Sequence, residues 1–118
     1  MVSSLALGFD GEYYNVNADQ MASACAIACG AHALVYLTDV AGVKGADGEV
    51  IRWLDVKAIA QMVEKATVSG GMLPKLEACT SALKKGVTRV RILPASSAEV
   101  LPGFFTHPIE GGTEVIAS

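Results

Sequence analysis

Two short segments hold the side chains best suited to chemistry on an anion. In Tyr14-Asn15-Val16-Asn17-Ala18-Asp19, two asparagines alternate on an extended stretch and an aspartate follows as a helix begins. Further along, Ser69-Gly70-Gly71-Met72-Leu73-Pro74-Lys75 is a glycine-rich turn ending in a lysine at a second helix start. An aspartate and a lysine held at helix starts suit a site that handles phosphoryl groups. Asp19 has an ordinary explanation as well, because the macrodipole favours a carboxylate in a first turn. Lys75 opposes its dipole by roughly 0.3–1 kcal/mol, a conflict that a bound phosphate or a partner carboxylate removes; a solvated lysine is the plain alternative. The glycines before it expose backbone N–H groups that also suit phosphate.

Asn15 and Asn17 lie two apart and so face the same side of an extended chain. Asn17 also reads as an N-cap, with Gln20 completing a capping box. Asp39 follows an apolar strand through Thr38, at the carboxyl end where parallel sheets bind ligands. It equally reads as an Asx-turn residue opening the loop to Gly42. No GxxxxGK[ST] motif occurs, which excludes a P-loop protein.

These residues need elements to hold them. Leu5-Ala6-Leu7 and Tyr13-Tyr14 flank the turn dipeptide Asp10-Gly11 and predict a hairpin or bent strand. A helix is predicted over 18–29, stopped by Gly30. The continuous apolar run 33–37 reads as a parallel strand covered on both faces. A loop over 38–48 and a short strand over 49–53 follow. Asp55 caps a helix with Val56, Ile59, Ala60 and Val63 on its apolar positions. A helix over 72–84 places Leu76, Cys79 and Leu83 on one face and ends at Gly86. Residues 88–93 alternate as a strand, with Arg89 and Arg91 solvated or inter-domain. Ser97 caps a short helix to Leu101, and 113–117 form a last strand. Helices alternating with buried strands indicate a layered αβα fold with a largely parallel sheet, in one domain over 1–118.

Composition narrows the function. Of 118 residues, 52% are hydrophobic and 18% charged, against about a quarter charged in an average chain. That apolar excess points to packing against a second domain or to a homo-oligomer. A net charge of −3 with no basic patch argues against nucleic acid. No apolar run approaches the roughly 18 residues of a membrane span. The opening Met1-Val2-Ser3-Ser4 lacks the positive segment of a signal peptide, so the expected location is cytoplasmic. Three cysteines, an odd number, do not suggest a disulfide framework. Cys25 and Cys29 share a helix face, but their neighbours are apolar, and no metal site is assigned. His32 and His107 are isolated.

The order of motifs is more telling than any one of them. Tyr14-Asn15-Val16-Asn17-Ala18-Asp19-Gln20, Leu37-Thr38-Asp39-Val40-Ala41-Gly42-Val43, Ser69-Gly70-Gly71-Met72-Leu73-Pro74-Lys75 and the terminal Gly111-Gly112-Thr113-Glu114-Val115-Ile116 resemble the carboxyl half of the N-acetyl-L-glutamate kinases, in the amino acid kinase superfamily. The resemblance covers nearly the whole chain. It implies the ATP-binding half of an enzyme of arginine biosynthesis that transfers the γ-phosphoryl of ATP, with Mg²⁺, to the side-chain carboxylate of N-acetylglutamate. Asn15 and Asn17 then match substrate-binding asparagines. Asp19 matches an aspartate that holds the catalytic lysines, and Lys75 a lysine on the transferring phosphoryl. Thr38, Asp39 and Gly42, with Ser69, Gly70 and Gly71, match the nucleotide-binding region.

The family's amino-terminal half carries a glycine-rich phosphate loop, a second catalytic lysine and a substrate arginine. No such loop precedes Asn15, and the arginines present, Arg52, Arg89 and Arg91, all lie downstream of it. The expectation is a chain that is inactive alone and binds N-acetylglutamate only with that half. The alternative is a non-catalytic, self-associating module derived from such a kinase; a split enzyme is a third reading. The histidine of arginine-inhibited members is missing near Ala98, so arginine feedback is not implied.

Overall fold

The computed structural model describes residues 1–68, 70–104, 106–107 and 110–117. The chain opens with a hairpin: β1 (Leu5–Leu7) lies antiparallel to β2 (Tyr13–Asn15), with Leu5 opposite Asn15 and Leu7 opposite Tyr13. Asp10 builds the turn, its carboxylate accepting from the Glu12 N–H at 3.0 Å and from the Tyr14 hydroxyl.

Helix α1 (Ala18–Ala28) starts where the Asn17 side chain accepts from the N–H groups of Asp19 and Gln20. It ends at Cys29 and Gly30, whose φ of 61° needs a residue without Cβ. There follow β3 (Ala33–Thr38), β4 (Trp53–Asp55), α2 (Val56–Glu64), α3 (Met72–Lys84) and β5 (Arg89–Pro94). A 3-10 helix (Ala95–Gly103) and β6 (Thr113–Ile116) complete the fold. Asp55 caps α2 through the Ala58 N–H at 2.6 Å.

The main sheet runs β3-β5-β6-β4. Its outer pairs, β3 with β5 and β4 with β6, are parallel; the central pair, β5 with β6, is antiparallel. Register puts Leu34 and Tyr36 beside Val90 and Ile92, and Val90 and Leu54 beside Val115. That face carries the helices. Leu76, Cys79 and Ala82 of α3 and Ile59 of α2 close the core over it. Burying each large aliphatic there contributes about 1.5–3 kcal/mol. The opposite face bears the 3-10 helix, which packs on β3 and β5. Arg89 stacks at 4.7 Å over the ring of Phe104, just past that helix.

Several expectations need correction. The sheet holds the expected parallel pairs, β3 with β5 and β4 with β6, and is mixed because β6 returns antiparallel to β5. The run over 33–38 is an edge strand among the described residues; α1 packs on one face and the 3-10 helix on the other, with Tyr36 buried and Leu37, near the strand's end, exposed. The strand expected over 49–53 begins at Trp53, since Val50 makes only an isolated bridge to Lys44. On α2 the inward positions are Ala58, Ile59 and Met62, whereas Ala60 and Val63 face water. Ser97 lies inside the 3-10 helix and caps nothing. Arg91 is not solvated: it is 7% exposed. Its guanidinium donates to the Gly111 carbonyl at 2.8 Å and lies 3.9 Å from Glu114, which also pairs with Arg89 at 3.3 Å. Alternation marked Arg91 as outward, but outward here means under the second layer.

Candidate functional site

The candidate site forms where two helices begin side by side. α1 and α3 run parallel: Asp19 meets Lys75 at their starts, and one turn on, the Ser23 hydroxyl donates to the Ala78 carbonyl at 3.0 Å. Their N-termini therefore present two positive dipole ends to one place. Lys75 Nζ lies 2.6 Å from Asp19 Oδ1, with side-chain exposures of 13% and 20%. The Asp19 carboxylate, at the start of its own helix, resolves the conflict of a lysine in the first turn of α3.

Tyr36 joins them from β3. Its ring lies 4.9 Å from the Lys75 ammonium, and its hydroxyl donates to the Asp19 backbone carbonyl at 2.8 Å. The lysine is thus held between a carboxylate and an aromatic face. Burial pushes the Tyr36 hydroxyl far above the usual phenol range, and the Cys79 and Asp19 charges add to this. One helical turn below Lys75, burial likewise pushes the Cys79 thiol up to about 12, against a smaller lowering by Lys75. Both groups stay neutral and form an apolar floor under the ion pair. Residue types alone did not single out Tyr36, although a tyrosine inside an apolar strand needs a hydroxyl partner and was a legible hint.

Thr38 follows Tyr36 on the same side of β3, at the strand's carboxyl end, and its hydroxyl donates to Asp39 at 3.3 Å. Asp39 is exposed. The chain then folds inward to Gly42, where a Cβ would meet Val50 at 2.8 Å and Thr113 at 2.9 Å. Thr113, fully buried and absent from the sequence-based candidates, accepts from the Val43 N–H at 2.9 Å and pins this loop to β6. Gly42 lines a cavity of about 220 Å³ with Val40, Val43, Lys44, Val68 and Met72. The cavity is mainly apolar and lies against the first residue of α3.

Gly70, with φ 61°, and Gly71 lead into α3 with no side-chain cap. Ser69 lies outside the described residues. Asn17 is committed to capping α1, which fixes Asp19. Asn15 is exposed at the end of the hairpin, on the face shared by Leu5 and Leu7. Asp19, Lys75 and Asn17 thus come together, and Gly42 shares a cavity with the start of α3. Among the described residues no group of three His, Cys, Asp or Glu could hold a metal ion, and no helix is long and apolar enough to cross a membrane.

Residues 2–94 match the amino acid kinase family. The chain belongs to that family. It is 62% identical over 118 residues to an acetylglutamate kinase from Acidobacterium capsulatum and 57% identical to one from Koribacter versatilis. It spans all of its own length but 45% of each of theirs. Among solved structures it resembles the N-acetylglutamate synthase from Neisseria gonorrhoeae complexed with coenzyme A and L-arginine, at a TM-score of 0.82 and 25% identity, over 96% of this chain and 26% of that one. The carbamate kinase from Giardia lamblia shares the fold at a TM-score of 0.74 and 18% identity, over 94% of this chain and 36% of that one. The α/β architecture above is the amino acid kinase fold.

Proposed function

We propose that this chain is the nucleotide-binding part of a kinase that transfers the γ-phosphoryl of ATP to the side-chain carboxylate of N-acetyl-L-glutamate, a step of arginine biosynthesis in the cytoplasm. The observation that carries the reading is the Lys75–Asp19 pair at the junction of two helix N-termini. Two dipole ends and one ammonium make that junction attractive to phosphate oxygens. The likeness to acetylglutamate kinases over all 118 residues supports the acyl amino acid as acceptor.

Phosphoryl transfer asks a protein chiefly for positioning and charge neutralisation. Lys75 would neutralise the transferring group. Asp19 and the Tyr36 ring restrict its rotamers, so little of its roughly 2 kcal/mol of side-chain entropy remains to be lost during reaction. A preorganised group of this kind contributes about 10²–10³ in rate. Thr38, Asp39 and the backbone amides of the exposed Gly70 and Gly71, with Ser69 matched to the same region by the resemblance, would hold the phosphates and ribose, and the Gly42 cavity would take the base. Asn15 and Asn17 would face the acyl amino acid.

The family implies Mg²⁺ with the nucleotide. The residues present do not fit a protein-built magnesium cage, since Asp19 is engaged by Lys75 and no three-carboxylate group occurs among the described residues. No step is therefore assigned to the ion, which binds ATP mainly through phosphate oxygens. Binding of nucleotide with little turnover is expected of this chain alone, because Lys75 alone of the family's catalytic lysines has a match in these 118 residues. Calorimetric titration with a non-hydrolysable ATP analogue and Mg²⁺ tests the reading. Binding that is lost in Lys75→Ala supports it, and no binding at millimolar nucleotide overturns it.

A further inference from the structure

The Gly42 cavity has one charged side chain on its wall among the described residues, the exposed Lys44. The neighbouring side chains are aliphatic, apart from Thr67, whose hydroxyl donates to the Met62 carbonyl at 3.0 Å. No carboxylate pairs with Lys44 among the described residues. Asp47, the nearest acid in the chain, accepts instead from the Glu49 N–H at 3.0 Å. The Lys44 backbone is held in place. The Ile51 N–H donates to the Val43 carbonyl at 2.8 Å, the Gly45 N–H donates to the Glu49 carbonyl at 2.9 Å, and Lys44 bridges Val50 between them. Thr113 pins the same ladder to β6 through the Val43 N–H. Met72, the first residue of α3, lines the cavity too. Gly71 brings no side-chain cap to α3, whose first N–H groups are left as a positive end. An ammonium and a helix start therefore border one cavity. An apolar pocket for a base alone has no need of the ammonium, whereas a polyanion attached to the base does.

We propose that Lys44 is a further nucleotide-binding residue, an ammonium that grips the phosphates nearest the ribose of a nucleoside polyphosphate. The inference rests on the nucleotide-binding reading and adds a residue to it. Lysine suits the task, because its compact charge sits on a flexible four-carbon stem and reaches phosphate oxygens without a fixed fork geometry. The aliphatic side chains around it exclude water and strengthen its attraction for an anion. With the base in the cavity, the first phosphates leave it past Lys44, and the terminal one lies at Lys75. The two lysines thus divide the polyphosphate. Lys75 meets the transferring group, and Lys44 holds the part that stays with the nucleoside, which makes it a binding residue and not a catalytic one.

The test is calorimetric titration of the chain and its Lys44→Met variant with ADP and with a non-hydrolysable ATP analogue, each with Mg²⁺ and at several salt concentrations. Loss of one charge-assisted hydrogen bond at a site that water reaches should raise Kd about tenfold in Lys44→Met, for ADP as much as for the triphosphate analogue. The variant's affinity should also fall less steeply with added salt, since one screened charge is gone. Lys44→Arg keeps the charge and should stay within about threefold of the unaltered chain. Lys84→Met, at the exposed far end of α3, should stay within about twofold. An unchanged Kd in Lys44→Met, an unchanged salt dependence, or an equal loss in Lys84→Met would each overturn the proposal while leaving the nucleotide reading intact. No binding of either nucleotide by the unaltered chain would overturn both.

Discussion

If Lys75 and Asp19 form one unit, their energies must be coupled, and a double-mutant cycle measures that coupling. The perturbations are Asp19→Asn, Lys75→Met and both together. The pair is 2.6 Å apart, with side chains about four-fifths or more buried. Removing one partner of a fully buried pair costs about 3–5 kcal/mol. Residual solvent contact reduces that here. In Asp19→Asn, the ammonium also keeps its contact with the Tyr36 ring, worth about 0.5–2 kcal/mol. We therefore expect Asp19→Asn to destabilise by about 2–3 kcal/mol, including the lost helix-dipole contribution of about 0.3–1 kcal/mol. Lys75→Met removes the charge but keeps a stem against Tyr36 and should cost a similar amount. The double variant should cost less than the sum, leaving a coupling of about 2 kcal/mol. For a chain of this size, 2 kcal/mol corresponds to about 8 °C in Tm. Urea unfolding of the four proteins, at equal ionic strength and without nucleotide, gives the value. A coupling within about 0.5 kcal/mol of zero, the level of independent sites, would refute the argument that the two residues form a preorganised unit.

Other expectations follow from the supporting groups. Thr113→Val removes the acceptor of the buried Val43 N–H. It should cost about 1–3 kcal/mol in urea unfolding and speed hydrogen exchange in the 40–43 loop more than in α3; unchanged exchange there would show that Thr113 does not pin the loop. The Cys79 thiol has its folded value raised from 9.0 to about 12 by burial. Its contribution to stability is therefore complete below pH 9 and is lost as pH rises from 9 toward 12, where the unfolded chain ionises first. Stability measured from pH 8 to 11 should fall, and Cys79→Ala should flatten part of that fall. An unchanged slope in the variant would count against the buried-thiol account.

The local signals were carried well by the sequence because they depend on neighbours along the chain. Asn17 caps α1 since its short side chain reaches the next N–H groups wherever the helix is placed. Gly30 and Gly86 end their helices because left-handed φ is cheap only without a Cβ. α3 has the bounds its periodicity requires, and Asp10-Gly11 makes the hairpin. Asp19 and Lys75 were singled out by type and position, although their spacing gave no sign that they touch.

Tertiary structure decided the rest. Period-two alternation says which strand residues share a face, yet not how each face is covered. Hence Arg91 proved buried and Leu37 exposed. Strand direction is invisible to composition, so the antiparallel β5–β6 pair inside a parallel-looking sheet emerged only from the register. Tyr36 and Thr113 serve the site across long sequence separations, where only packing brings donor to acceptor. Lys75 in a first turn posed an electrostatic conflict that the sequence could state but not resolve. The parallel packing of α1 on α3 set a carboxylate against the ammonium and turned that conflict into a held charge.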